Sequence, residues 1–121
     1  MAKKILIIDD ASYMREMIRD IATKFGYEVV GEAQDAADAA VKYASLKPDL
    51  VTMDIVMRDK SGIDGVKEIM KVDPKAKVLM ISAMGQQAMV VEAIQAGAKG
   101  FVIKPFKPEV LVEEIQRIVG K

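Results

Sequence analysis

The 121-residue chain contains no cysteine and no histidine. The first absence removes disulfides, thiolate zinc sites and cysteine nucleophiles together. The second excludes a Ser-His triad, imidazole metal ligands and any phosphohistidine carried by this chain. Excess charge is missing too. Lys plus Arg and Asp plus Glu number 18 each, so no broad basic field draws nucleic acid or anionic lipid. Long apolar runs are also lacking. The start "MAKKILIIDD" sets basic residues before Ile5 to Ile8, but that run is well short of a signal peptide's roughly 7–15 apolar residues. No stretch approaches the ~20 residues of a membrane span. A soluble chain in the cytoplasm, with no membrane contact, is the expectation.

What is present is ordinary for a globular domain: 51% hydrophobic and 30% charged residues, at a length that suits one domain with a real core. Short apolar runs alternate with helical patterns. "KILII" (Lys4–Ile8), "EVVGEA" (Glu28–Ala33), "LVTM" (Leu50–Met53), "KVLMIS" (Lys77–Ser82) and "GFVIK" (Gly100–Lys104) read as five strands. Most are nearly continuous in apolar residues, as strands covered on both faces should be.

Amphipathic stripes lie between them. Met14, Met17, Ile18, Ile21 and Phe25 form the first, with Asp10 or Ser12 as cap and Gly26 as stop. Ala37, Ala40, Val41 and Ala44 form the second; Ile63, Val66, Ile69 and Met70 the third. Val90, Ala93, Ile94 and Gly97 form the fourth, and Leu111, Val112, Ile115, Ile118 and Val119, opened by Pro108, the fifth. Strict β-α alternation implies an α/β domain, residues 1–121, with a doubly wound five-stranded parallel sheet and helices on both faces.

In such sheets ligands bind beyond the carboxyl ends of the strands. Strand one ends in Asp9-Asp10, strand three in Asp54, strand four in Ser82 and strand five in Lys104, while strand two ends in the plainer "EAQD". Each has an ordinary reading alone: an acid pair capping a helix, a strand-end hydroxyl, a solvated lysine. Together on one rim they point elsewhere. Three converging carboxylates repel unless a cation joins them. Mg²⁺ suits them, since it takes hard oxygen ligands and commonly binds one or two carboxylates plus a phosphate. Lys104 adds a point charge for a phosphate oxygen, and Ser82 a hydroxyl donor. These are the parts of a phosphoryl-transfer site. The nine methionines read as core filler.

The motifs "IIDDAS", "VTMDIVM…SG", "ISAMG" and "FVIKPF" resemble the response-regulator receiver domain over the whole chain, most closely its stand-alone chemotaxis members. That resemblance implies a flavodoxin-like (βα)5 fold with strand order 2-1-3-4-5. It makes Asp54 the phosphoacceptor, with Asp9, Asp10, Asp54 and the backbone carbonyl of Val56 holding Mg²⁺. Lys104 would neutralise the phosphoryl group, Lys104-Pro105 would be cis, and Ser82 and Phe101 would be the switch pair. Many chemotaxis members carry Tyr where Phe101 stands, so an apolar turn of the ring replaces any hydroxyl contact. Val56 and Met84, both apolar, would flank the phosphoryl group, restrict water and slow self-dephosphorylation.

The implied partners are a sensor histidine kinase, a flagellar motor switch protein and a phosphatase, met by a monomer through the face of helix four, strand five and helix five. The chain would be a signalling switch rather than an enzyme. The alternative within the family is a phosphorelay intermediate that passes phosphate to a histidine phosphotransfer protein. A haloacid-dehalogenase-type phosphatase fits less well, because it places its nucleophile on strand one with a second acid two residues on. The ending "EEIQRIVGK" completes a helix, which favours a stand-alone protein over a receiver cut from a transcription factor. One departure stands out: Met57-Arg58 replaces the family's usual Met-Pro. A solvated Arg on a turn is the ordinary account; contact with the phosphoryl group or an acidic kinase surface is the sharper one.

Overall fold

The computed structural model describes residues 2–57, 61–83 and 85–120. The elements alternate as expected: β1 (Lys4–Ile8), α1 (Ser12–Lys24), β2 (Glu28–Ala33), α2 (Ala36–Leu46), β3 (Leu50–Met53), α3 (Gly62–Val72), β4 (Val78–Ser82), α4 (Gln87–Ala96), β5 (Gly100–Ile103) and α5 (Pro108–Val119). All strand pairs are parallel and their order is β2-β1-β3-β4-β5. Val78 rather than Lys77 opens the fourth strand, and Lys104 lies one step past the fifth.

Side chains alternate across each strand, and this sorts the core into two layers. Ile5, Ile7, Leu50, Leu79, Ile81 and Val102 meet α1 and α5 on one face. Leu6, Ile8, Val51, Met53, Val78 and Met80 meet α2, α3 and α4 on the other. β3 and β4 are buried throughout, and β1 is buried after Lys4. The edge strands β2 and β5 are only partly covered; each lacks a neighbour on one side, so continuous burial fails there.

Expectations for three helices need correction. The N-cap of α1 is Ala11, neither Asp10 nor Ser12, and it makes no side-chain capping bond. Met17 and Phe25 on its predicted stripe stand 44% and 45% exposed. The buried face of α2 is Ala36, Ala39 and Tyr43, one residue out of phase with the predicted stripe, and Val41 is exposed. A run of alanines gives periodicity little contrast, and the phase is set by Tyr43, whose ring is buried and whose hydroxyl donates to Asp73 Oδ2 at 2.8 Å. On α4 only Ala93 is buried, and Ile94 lies open. The α3 and α5 stripes match at Ile63, Val66, Ile69, Leu111, Val112 and Ile115.

Candidate functional site

The strand ends deliver their polar residues by extending the sheet one step. Asp9 N–H donates to Ala33 O (3.1 Å), Asp54 N–H to Ile8 O (3.0 Å) and Lys104 N–H to Ser82 O (2.9 Å). Strand alternation then places Asp9, Asp54 and Lys104 above Ile7, Thr52 and Val102, on the α1/α5 face. Ser82, following Met80, belongs to the opposite face.

Asp9 is 1% exposed and Asp54 7%, so each carboxylate needs partners to remain charged. Lys104 supplies them. Its Nζ lies 2.9 Å from Asp9 Oδ2 and 3.5 Å from Asp54 Oδ2. Asp9 Oδ1 accepts from Ala11 N–H at 2.9 Å, and Asp54 Oδ1 from Ile55 N–H at 2.8 Å. Burial nevertheless pushes the Asp54 carboxyl above its ordinary value; Lys104 opposes this, Asp9 adds repulsion, the Ile55 amide lowers it and Asp10 raises it again.

Asp9, Asp10 and Asp54 each offer a carboxylate oxygen, and these oxygens lie within 4.8 Å of one another. All are hard anionic donors, with one Lys as the charge between two of them. The set fits Mg²⁺, since its three members offer only hard oxygen ligands.

The loop after Asp54 returns tightly onto it. Gly62 N–H donates to Ile55 O at 2.6 Å, and Ser61 caps α3 by accepting from Ile63 N–H at 3.0 Å. A Cβ on Gly62 would sit 1.8 Å from the Asp54 carbonyl oxygen, so only glycine fits. Val56 is 55% exposed on this loop, whose neighbours Arg58, Asp59 and Lys60 lie outside the described residues, as does Met84. The Lys104-Pro105 peptide is cis. Ser82 is buried at the end of β4, and half-buried Phe101, paired with Met80, packs against the α2–α4 layer.

The site also holds residues that the sequence did not single out. Glu32, in the "plain" end of β2, accepts from Arg15 Nε at 2.9 Å and from Arg19 Nε at 2.7 Å. Partial burial would raise its pKa, but the bonds from Arg19 and Arg15 hold its carboxyl below the usual range. Arg15 also reaches the Asp9 carbonyl oxygen through Nη1 at 2.6 Å. The available signal was the i, i+4 spacing of the two arginines, which puts them on one helix face.

A family model for the response regulator receiver domain matches residues 5–116. The chain is 58% identical over 118 residues to the chemotaxis protein CheY of Thermotoga maritima, covering 98% of each. It is 54% identical over 120 residues to the chemotaxis protein CheY of Bacillus subtilis, covering 99% of this chain and all of that one. Among solved structures, it resembles the CheX-CheY-BeF3-Mg²⁺ complex from Borrelia burgdorferi with a TM-score of 0.94 and 31% identity, over 98% of this chain and 90% of that chain. The response regulator domain of Thermotoga maritima CheB superposes with a TM-score of 0.91 at 33% identity, over 100% of this chain and 98% of that chain.

Proposed function

We propose, for a chain that belongs to the response regulator receiver family, that Asp54 takes a phosphoryl group from a phosphohistidine of a sensor kinase and that this switches its partner-binding face. One observation carries the reading: a buried carboxylate, Asp54, shares Lys104 with Asp9 and lies within metal-binding reach of Asp9 and Asp10. One Asp54 oxygen attacks phosphorus. The P–O bond forms as the P–N bond to the donor imidazole breaks, and the leaving imidazole takes up a proton. Asp9, Asp10, Asp54 and the Val56 carbonyl would hold Mg²⁺, which when bound screens the charge gathering on the phosphoryl oxygens. Lys104 orients one of those oxygens and balances its charge. The chain acts on itself only, as a switch and not as an enzyme with a separate substrate.

The phosphoryl group adds roughly −1.5 to −2 charges and strong acceptor oxygens. Ser82 donating to it would open space behind β4, and Phe101 would turn inward against the α2–α4 layer. That movement reshapes the face of α4, β5 and α5, where Ile94, Ile103 and Val110 are already exposed. The names of its relatives support a chemotaxis pathway, and a cytoplasmic location and a flagellar motor switch protein as partner are what the family resemblance adds to this reading. By the family resemblance, Val56 and Met84 would slow hydrolysis of the phosphoryl group, leaving removal mainly to a phosphatase.

The test is phosphorylation by a histidine kinase or a small phosphodonor, read by mass spectrometry, followed by binding to a motor switch peptide. Expected is one Mg²⁺-dependent phosphoryl group on the parent, none on Asp54→Asn, and tighter peptide binding afterwards. Label on Asp54→Asn would overturn the assignment. Rapid transfer to a histidine phosphotransfer protein with no gain in peptide binding would make the chain a relay instead.

A further inference from the structure

Arg15 is buried more deeply than a surface ion pair requires, its side chain 13% exposed, and it works in two directions. Nε binds Glu32 Oε1 at 2.9 Å, and Nη1 binds the main-chain oxygen of Asp9 at 2.6 Å. Glu32 is itself held: Oε2 accepts from Arg19, and its carbonyl oxygen accepts from Lys42 Nζ, which also pairs with Asp38 at 3.2 Å. The end of β2 is thereby braced between α1 and α2, and Arg15 carries that brace to the β1–α1 turn.

The turn needs it. α1 begins at Ala11 with no side-chain cap, and the capping-type bond runs instead from Ala11 N–H to Asp9 Oδ1. A residue expected to bind metal therefore also serves as local scaffold. Its carboxylate points correctly only while its main chain stays in place. We infer that Arg15 is a positioning residue for the acidic site, fixing the Asp9 backbone through a guanidinium clamped by Glu32, with Arg19 securing Glu32 from the other side. The planar fork of Arg spans carbonyl and carboxylate together, which the single ammonium of Lys cannot reproduce. This rests on the reading that Asp9, Asp10 and Asp54 bind Mg²⁺.

Electrostatics alone predicts the opposite sign. Arg15 is a cation beside an anionic metal site, so its removal should tighten Mg²⁺; loss of positioning should weaken it. Calorimetric Mg²⁺ titration of the full chain at fixed ionic strength separates the two, with Arg15→Ala, Arg15→Lys and Arg19→Ala compared with the parent. Arg15→Ala and Arg15→Lys should each lose about 10-fold in Mg²⁺ affinity, the lower end for an outer partner of a metal ligand. In both, hydrogen exchange at the Ala11 amide should accelerate. Arg19→Ala removes the same charge from the same carboxylate without touching Asp9, and should stay within about 2-fold of the parent, as a peripheral exposed pair would. If Arg15→Ala does not fold, Arg15→Lys carries the test. Unchanged or tighter binding in the Arg15 variants overturns the inference, as does an equal loss in Arg19→Ala. A parent chain that takes up no Mg²⁺ would sink the metal reading and this inference with it; a parent that binds while the Arg15 variants match it would sink the inference alone.

Discussion

The two layers packed on the sheet share branched side chains but differ in methionine content, and they hold different parts of the site. The α1/α5 layer is built of Ile5, Ile7, Ile18, Leu50, Leu79, Ile81, Leu111 and Ile115, and on its face stand Asp9, Asp54 and Lys104. Branched side chains have few rotamers, so this layer resists repacking. The α2–α4 layer has a comparable set of branched side chains, Leu6, Ile8, Val51, Ile55, Ile63, Val66, Ile69 and Val78, but adds Met53, Met57, Met70, Met80 and Met89 with a series of alanines, and its face has Ser82 and Phe101. Methionine has three rotatable bonds and fills irregular space, so rearrangement there costs less. α4 adds little resistance, since Ala93 is its one buried residue. Chemistry that needs fixed distances lies over the stiff layer, and the proposed switch over the adaptable one.

Substitutions can break or sharpen that contrast. The largest effect is expected at the loop that joins Asp54 to the adaptable layer. Gly62→Ala forces a methyl against the Asp54 carbonyl, and should cost on the order of 3–5 kcal/mol in urea unfolding, with loss of Mg²⁺ binding. Next comes a test of layer stiffness. Ile7→Ala should cost about 2–5 kcal/mol, while Met80→Leu should cost under about 1.5 kcal/mol. Met80→Leu should nonetheless change the response of Phe101 to beryllofluoride, read by NMR, and Ile7→Ala should not. Equal costs and equal responses would erase the distinction.

Smaller effects concern the price of burying charge and hydroxyl on the stiff face. The Asp54 carboxyl is raised on folding, so the folded state holds its proton more tightly than the unfolded state does. Its contribution to stability is complete below the unfolded carboxylate range and is lost as pH rises through the raised folded value. Without metal, thermal stability should fall over that window. Asp54→Asn should remove the fall and stabilise the chain at neutral pH by about 1–2 kcal/mol, the size of an incompletely compensated buried charge. Saturating Mg²⁺ should narrow the gap, because it binds the folded parent. Beneath Asp54, Thr52 is 1% exposed, and its hydroxyl has no hydrogen-bond partner among the described residues. Thr52→Val should therefore be neutral or stabilising by about 1 kcal/mol in thermal melting.

Much of the architecture was legible in the residues. "KILII", "EVVGEA" and "LVTM" match β1, β2 and β3 residue for residue, because short apolar runs between helical stripes leave few other readings. The strand-end rule collected Asp9, Asp10, Asp54, Ser82 and Lys104, and the fold brings the first three and the lysine together. The phase of α2 was not legible, because alanine packs on either side and the buried tyrosine decided it. Nor was the cap of α1, where Ala11 makes no side-chain capping bond and its own N–H donates to Asp9 Oδ1, just past β1.

Local pattern and residue type by themselves determined the order of elements along the chain and the acids at the strand ends, because these follow from hydrophobic periodicity along single segments. Only the tertiary structure decided that Glu32 belongs to the site. It lies far along the chain from Arg15, and two charged side chains on different elements become partners only when β2 is laid beside β1 under α1. The same holds for Lys104 and Asp9, where Lys104 Nζ donates to Asp9 Oδ2 at 2.9 Å across 95 positions of chain. Pair energies of that kind depend on distance and burial, and neither exists until the sheet has closed.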